Sequence, residues 1–404
     1  MPGPSDSRAR SEGLTEIESA VQRAKPRNTE LHKANDGVGS AAAQNTMREM
    51  VGEVTASPPL YRPSKFWVDL NEINQTMLDE LGLENLKRTI AQNYFNWLVI
   101  SRQDPQYQAV RRLWKHRPTL RPYLNRLEEP KLLKTLQPYL GRLAEPSMSA
   151  AAMGTAPTIG PRELRIYKLF VGMLWEYSSQ QDWSGIGRQT DEPTVGNPIE
   201  LYRRGKLISQ DLANSIREYN AILSDDRGLA GSFKRVAELG AGYGRLAHIF
   251  LSEGKTKYCI FDIPPALFVS QWYLSAAHPG KTVFRFRHFA RFSDVATELE
   301  RSDVAFFTPN QMAMFPEGYF DIFASISTLP EMAADQIDNY LRQAERLARR
   351  HVYLKQWLEW ENPADGHRVT PDTMRLGEAW APVFDRPDAV QPQFFERLWR
   401  RKAA

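Results

Sequence analysis

One short segment, Glu238-Leu-Gly-Ala-Gly-Tyr-Gly244, constrains the fold more than any other part of the chain. It lies between the apolar stretch 235–239 and an amphipathic stretch, an order typical of a strand, a glycine turn and a helix. Glycines let the backbone of such a turn approach a ligand closely, and the N-terminus of the helix supplies free N–H donors. The segment therefore predicts a dinucleotide- or nucleoside-binding turn.

The residues around the glycines distinguish between possible ligands. The dinucleotide-binding fingerprint has its third small residue one position after Gly244, where this chain has Arg245. Glu238 stands two residues before Gly240, and a carboxylate there suits a cationic ligand group better than a pyrophosphate. Asp262 ends the next predicted strand, where a carboxylate can accept hydrogen bonds from ribose hydroxyls. Together these residues predict an S-adenosylmethionine site; an ordinary tight turn and a nicotinamide-dependent enzyme are the alternatives.

We expect the cofactor to contact the glycine turn, the end of the next strand and the segments that follow two later strands. Thr308 and Gln311 follow the predicted strand 304–307 and are expected to flank the adenine ring, with turn capping as the alternative. Ser325 ends the predicted strand 319–325. The expected cofactor-binding residues are Glu238, Gly240, Ala241, Gly242, Gly244, Asp262, Ile263, Thr308, Gln311 and Ser325.

Beyond residue 233, short apolar stretches alternate with amphipathic ones, which predicts strands alternating with helices. Such alternation is typical of a parallel sheet covered by helices, so we predict a Rossmann-like α/β fold. The segments 380–384 and 394–399 predict a terminal β-hairpin. The other predicted strands are 235–239, 258–262, 283–286, 304–307, 319–325 and 351–356.

Composition divides the chain into four segments. Residues 1–59 are rich in small and charged residues, so we expect them to be disordered or loosely attached. Residues 60–146 show helical periodicity interrupted by prolines and predict a mainly helical N-terminal module. Residues 147–160 predict a linker or mobile loop, and residues 161–404 the S-adenosylmethionine-binding domain.

Charge and cysteine usage exclude several classes of protein. The net charge of +4 is scattered along the chain, so we expect no nucleic-acid partner. The single cysteine, Cys259, rules out a disulfide within the chain and a cysteine-based metal site. A signal segment and a membrane-spanning stretch are both missing from the sequence, so we predict a cytoplasmic protein. The helical module is a candidate surface for forming homo-oligomers.

Several motifs carry a resemblance to a known family. The segments 237–246 and 258–267 are the most specific of them, and others occur at 64–67, 93–97, 196–198, 208–215 and 327–332. The chain resembles the sugar O-methyltransferase family of bacterial saccharide and glycosylated-metabolite pathways, over nearly everything after Tyr61. The resemblance implies a class I S-adenosylmethionine-dependent methyltransferase that methylates a hydroxyl of a sugar, saccharide or glycosylated metabolite. It also implies that Asn197, Gln210 and Asn214 close over the cofactor or the acceptor.

Methyl transfer to a weakly acidic hydroxyl calls for a general base near the carboxyl ends of the parallel strands. Glu331, in the loop after the strand 319–325, is the first candidate; a carboxylate stabilising a helix N-terminus is the alternative. His288, after the strand 283–286, is the second candidate, and a surface histidine is its alternative.

The acceptor itself is expected to contact two further side chains. Lys355, at the end of the last parallel strand, could bind an acidic acceptor, and extension of its amine into solvent is the alternative. Trp183, in a predicted loop, is the best candidate for stacking on a sugar; core packing explains the other tryptophans. The chain lacks an Asp–Asp pair after the strand 319–325, so we predict a reaction without a metal.

Two other functions stay open at this point. One is methylation of another small molecule or a peptide at nitrogen or carbon. The nucleobase N-methyltransferases carry an Asn/Asp-Pro-Pro-aromatic loop where this chain has Ser325-Ile-Ser-Thr-Leu-Pro330. The other is a non-catalytic subunit that binds a partner through its helical module, against which the intact glycine turn argues.

Overall fold

The computed structural model describes residues 41–88, 98–115, 161–203, 205–229, 235–362 and 366–403. Residues 89–97 and 116–146 of the predicted helical module and the predicted linker 147–160 lie outside these residues. The subdivision of the chain into a helical module, a linker and a catalytic domain stays a prediction.

An eight-stranded sheet forms the centre of the molecule, in the order β11-β12-β8-β7-β3-β4-β6-β5. All neighbours from β8 to β5 pair in parallel, whereas β12 runs antiparallel to both β8 and β11. The predicted Rossmann-like sheet and the terminal hairpin are both present. The strands are β1 (Tyr202–Arg203), β2 (Lys206–Leu207), β3 (Arg235–Leu239), β4 (Lys257–Phe261), β5 (Val283–Phe284), β6 (Val304–Phe307), β7 (Phe320–Ile326), β8 (Ala348–Trp357), β9 (Trp360–Glu361), β10 (Arg368–Val369), β11 (Trp380–Pro387) and β12 (Phe394–Arg401).

Helices cover both faces of this sheet. The central strands β3, β4, β6 and β7 are buried almost throughout, because alternate side chains enter two separate apolar clusters. The α-helices are α1 (Ala41–Ala56), α2 (Lys65–Leu81), α3 (Pro105–Lys115), α4 (Pro161–Gln181), α5 (Ile186–Gln189), α6 (Gln210–Ile222), α7 (Arg245–Glu253), α8 (Ala266–Ala277), α9 (Ala296–Arg301) and α10 (Ala334–Leu347).

Helix α1 differs from the expectation that residues 1–59 are disordered or loosely attached. Met50 and Val54, one helical turn apart, are buried, and α1 packs against α8. Two buried apolar side chains among polar neighbours are a weak sequence signal, which is why composition alone missed this helix.

Helix α2 lies across the carboxyl edge of the sheet. It begins after Ser64, whose hydroxyl accepts a hydrogen bond from the Trp67 amide and donates one to the Glu331 carbonyl at 2.7 Å. Asn71 Nδ2 donates to the Pro264 carbonyl at 3.2 Å. These contacts join α2 to the loops after β7 and β4, so the helix covers the region where a ligand of such a sheet binds.

Candidate functional site

A cavity opens at the carboxyl ends of β3, β4, β7 and β8, beneath α2. Each of these strands contributes residues at the point where it ends, and α6 contributes polar side chains from the adjacent wall. The predicted residues Glu238, Gly240, Ala241, Gly242, Asp262, Ile263, Glu331, Gln210, Asn214 and Lys355 all line this cavity.

The glycine turn has the backbone geometry that its sequence predicts. Gly240 and Gly242 have φ values of 74° and 59°, a region that other residues rarely adopt. A Cβ atom on Gly240 would lie 2.1 Å from Thr328 Oγ1, so the turn packs closely against the loop after β7. Gly244, with φ 91°, is the N-cap of α7 and does not line the cavity.

Glu238 and Asp262 bring two buried carboxyl groups to this turn. Glu238 accepts a hydrogen bond from the Tyr258 hydroxyl at 2.8 Å. Asp262 accepts one from the Gly242 amide at 3.0 Å and one from the Ile263 amide at 2.8 Å. Burial raises the pKa of each carboxyl to about 7 despite these donors. A cationic ligand would stabilise the charged form of both groups.

Glu331 stands in the loop after β7, in a short 3₁₀ helix. Its Oε2 atom is buried and has no hydrogen-bond partner in the part of the chain that the structure describes. Burial, with the nearby charge of Asp262, raises the pKa of Glu331 well above its usual range. The carboxyl groups of Glu331 and Asp262 therefore influence each other electrostatically, and both residues line the same cavity.

Helix α6 presents a polar face to the cavity. Gln210 accepts a hydrogen bond from the Val99 amide at 3.0 Å through Oε1. Asn214 is 4% exposed, and its Oδ1 has no partner among the described residues. Sequence reasoning missed Asp211 on the same helix turn, which accepts a hydrogen bond from the Tyr243 hydroxyl at 2.8 Å.

Lys355 is engaged in a buried ion network. Its Nζ lies 2.9 Å from Glu218 Oε1 and 2.9 Å from Asp388 Oδ2, and the side chain is 1% exposed. The alternative of an amine extended into solvent is therefore wrong. Arg245 also pairs with Glu218, and it donates to Ser215 Oγ at 2.8 Å. Lys355 and Arg245, two cations that line the cavity, therefore both have carboxylate partners already.

Besides Gly244, three residues expected to bind the cofactor do not line the cavity: Thr308, Gln311 and Ser325. Gln311 accepts from the Thr308 amide at 3.1 Å and donates to the Arg287 carbonyl at 2.9 Å, so its amide is occupied by its own turn and by the segment after β5. The capping alternative describes this segment better, and Pro309 reaches the cavity instead. Ser325 Oγ accepts from Gln356 Nε2 at 3.2 Å inside the sheet.

The structure also places three other predicted residues away from the cavity. His288 is 72% exposed, and its Nδ1 lies 2.7 Å from Glu53 Oε2 of α1. Asn197 donates to Asn85 Oδ1 at 2.9 Å. Trp183 Nε1 donates to the Asn220 carbonyl at 3.2 Å, and Arg227 lies over the Trp183 ring. His288, Asn197 and Trp183 therefore make these contacts outside the cavity lining.

Aromatic side chains line the cavity, among them Trp67, Trp357 and Trp360, which the sequence analysis assigned to core packing. We call Phe66, Trp67, Trp357, Trp360 and Phe394 the aromatic cluster. Successive ring centroids lie 5.3 Å apart for Phe66–Trp67, 6.4 Å for Phe66–Trp360, 5.2 Å for Trp357–Trp360 and 4.8 Å for Trp357–Phe394. The available signal was the position of Trp357, which ends β8 at the same edge as Asp262.

Within the described ranges, no group of three or more His, Cys, Asp and Glu side chains is placed to hold a metal ion. Among the helices of those ranges, none combines the length and apolar character that crossing a membrane requires. The reaction without a metal stays a prediction.

Comparison with known proteins gives likenesses of fold. No protein-family model and no curated protein matches the chain. The magnesium protoporphyrin IX methyltransferase of Synechocystis PCC 6803, solved with bound SAM, is 14% identical with a TM-score of 0.32, and the match covers 49% of this chain and 87% of that one. The 1,6-didemethyltoxoflavin-N1-methyltransferase of Burkholderia thailandensis, with bound S-adenosylhomocysteine, is 17% identical with a TM-score of 0.30, and the match covers 47% of this chain and 79% of that one. The [4+2]-cyclase SpnF is 13% identical with a TM-score of 0.28, and the match covers 42% of this chain and 75% of that one.

The strand order and the glycine turn after β3 define the fold class of this molecule. Its parallel sheet, with the antiparallel strand β12 beside β8, is the Rossmann-like α/β fold that the sequence predicts. A fold of this class supports different chemistries, so the function depends on the residues of the site.

Proposed function

We propose that this protein is an S-adenosylmethionine-dependent methyltransferase that methylates a hydroxyl of a sugar, saccharide or glycosylated metabolite. The observation that carries the proposal is the meeting of Glu238, the glycine turn and Asp262 in one cavity. The motif resemblance to sugar O-methyltransferases supports the sugar acceptor, as does the presence of several aromatic rings in the same cavity.

The residues of the cavity suit this cofactor better than a dinucleotide. The Asp262 carboxylate would accept hydrogen bonds from the ribose hydroxyls, and Glu238 would attract the cationic methionine end. A pyrophosphate would meet two buried carboxyl groups, while the neighbouring Arg245 is paired with Glu218. Close packing of Gly240 against Thr328 leaves the backbone itself as the surface that the ligand would contact.

When bound, S-adenosylmethionine supplies a methyl group that its sulfonium already activates, so the protein's task is alignment and proton removal. Glu331 would take the proton of the acceptor hydroxyl on Oε2, the oxygen without a partner in the described residues. A raised pKa suits this role, because a base with higher proton affinity removes a hydroxyl proton more readily.

Calorimetric titration tests the cofactor part of the proposal. We expect S-adenosylmethionine and S-adenosylhomocysteine to bind and NAD not to bind. Mass spectrometry of a glycan panel incubated with protein and S-adenosylmethionine then tests the acceptor, with a gain of one methyl group as the expected product. If NAD binds and S-adenosylmethionine does not, the cofactor assignment is wrong. If methyl transfer occurs only to amines or carbon acids, the proposed O-methylation is wrong.

A further inference from the structure

The aromatic cluster lies at a different part of the cavity from the residues assigned to the nucleoside. Asp262 follows β4, whereas Trp357 ends β8, and β3 and β7 lie between these two strands. Neighbouring strands are roughly 4.8 Å apart, so the two strand ends are separated by about 14 Å. Phe394 begins β12 directly opposite Trp357. Glu331, after β7, stands between the two regions.

Two residues that line this cavity each carry a buried polar atom without a partner. Trp360 Nε1 is a buried donor and Asn214 Oδ1 a buried acceptor, and neither has a hydrogen-bond partner in the described segments. A buried polar group without a partner costs free energy, and a ligand that supplies the complementary group removes that cost. An oxygen facing Trp360 and a hydroxyl facing Asn214 would do so, on a ring stacked against the aromatic cluster.

The charges of the cavity disfavour an anionic ring. Lys355 is compensated by Glu218 and Asp388, and Arg245 by Glu218, so their charges are already balanced. The remaining lining cation, Arg62, is exposed at the rim, where water and salt screen it. The lining also contains the carboxyl groups of Asp211 and Glu331.

We propose that the aromatic cluster is the acceptor subsite and that it takes an uncharged or amine-bearing ring and excludes rings carrying a carboxylate or phosphate. This inference deepens the proposed methyl transfer and rests on it. It replaces the sequence-based expectation that Lys355 binds an acidic acceptor.

Three ligands that differ at one position test the charge selectivity. They are phenyl β-D-glucopyranoside, its 6-amino-6-deoxy analogue and phenyl β-D-glucuronide, titrated by calorimetry into the full-length protein saturated with S-adenosylhomocysteine. We expect the neutral and amine-bearing glycosides to bind at least about tenfold more tightly than the glucuronide, because Lys355 and Arg245 are already paired and leave the glucuronide carboxylate without a buried counter-charge. Equal or tighter binding of the glucuronide, or binding of none of the three, would overturn the inference.

Two variants locate the subsite. Trp360→Phe removes the unpartnered N–H while keeping an aromatic ring, and it should weaken glucoside binding about three- to tenfold. Trp183→Phe, whose side chain lies outside the cavity, is the matched control and should leave the dissociation constant unchanged. Loss of binding with Trp183→Phe but not with Trp360→Phe would place the subsite elsewhere.

The same titrations separate this inference from the proposed function. If S-adenosylhomocysteine fails to bind, the cofactor assignment fails, and the three glycosides titrated into the protein alone still show whether the subsite discriminates charge. If S-adenosylhomocysteine binds and the glycosides behave as expected but no methyl transfer follows, the proposed reaction fails and the subsite stands.

Discussion

Four carboxyl groups line the cavity, and the immediate partners of three of them, Glu238, Asp262 and Glu331, differ. Asp262 accepts two backbone hydrogen bonds, and Glu238 accepts one from Tyr258. Glu331 Oε2 has no hydrogen-bond partner in the described chain. Burial is nevertheless the largest influence on all three and raises each pKa. The charge of the cavity therefore depends on what occupies it, because a cation favours the ionised carboxylates.

Asp262→Asn tests the proposed ribose contact. The amide cannot offer a charged acceptor to the ribose hydroxyls, so the loss should be about 1.5–3 kcal/mol, roughly a 10- to 150-fold weaker affinity for S-adenosylmethionine. Calorimetry measures it directly. Asp303→Asn, at the opposite edge of the sheet, is the matched control. An unchanged dissociation constant for Asp262→Asn would remove Asp262 from the cofactor site.

Glu331→Gln tests the proposed base. The amide cannot accept the proton, so turnover should fall about 10²–10⁴-fold while cofactor affinity is kept. In the wild-type protein, turnover should rise with pH, because Glu331 must lose its proton before it can act and burial raises its pKa.

Exposed Glu317→Gln is the control for this substitution, and it should change neither rate nor stability appreciably. If Glu331→Gln retains the wild-type rate but melts at a lower temperature, the side chain stabilises the start of α10 instead. The role of base would then move to Asp211, which lines the cavity, and not to the exposed His288.

At the scale of elements, the contacts that position α6 come from distant parts of the chain. Lys87, in a short 3₁₀ helix, pairs with buried Glu192 and donates to the Tyr273 hydroxyl at 2.8 Å. Glu192 in turn accepts from the Ser209 hydroxyl at 2.6 Å, and Ser209 is the N-cap of α6. The N-terminal region and the polar wall of the cavity are therefore joined through buried charges.

Lys87→Met should destabilise the protein by about 3–5 kcal/mol, because it leaves the Glu192 carboxylate buried without its cation. Denaturant unfolding measures the change. The double variant Lys87→Met/Glu192→Gln should recover much of the lost stability, because it also removes the buried carboxylate that has no cation beside it. Lys255→Met, which removes an exposed amine paired with the partly buried Glu253, is the control and should cost less than about 1 kcal/mol. Equal effects of the two single variants would contradict this account of the network.

At the scale of the whole molecule, local patterns predicted the sheet and the glycine turn, because strand alternation and positive φ leave direct signatures in a sequence. The wall formed by α2 and the aromatic cluster could not be predicted in the same way. Whether Trp357 or Trp183 faces a ligand depends on which distant segments pack beside each ring, and their sequence contexts alone favoured Trp183. Likewise, Gln311 follows the expected strand, yet its amide bonds to its own turn and to the distant Arg287 carbonyl.

Charge at the cavity also affects the stability of the entire fold. Because burial raises the pKa of Glu238 and Asp262 to about 7, the folded chain binds these protons more tightly than the unfolded chain. Their stabilising contribution is present below the ordinary carboxyl pKa of about 4 and is lost as pH rises through 7. Burial lowers the pKa of the His248 and His278 imidazoles, so their contribution to stability changes with pH in the opposite direction and is lost as the pH falls.

A comparison of variants isolates the carboxyl contribution from that of the histidines. Between about pH 5.5 and pH 8, the melting temperature of the wild-type protein should fall further than that of the double variant Glu238→Gln/Asp262→Asn. Only the wild type must ionise two buried carboxyl groups over this range. S-adenosylmethionine should raise the wild-type melting temperature more at pH 8 than at pH 5.5, since its cation favours the ionised carboxylates. Differential scanning calorimetry with and without cofactor measures both effects. Parallel pH profiles for the two proteins would show that Glu238 and Asp262 do not carry the protons assigned to them.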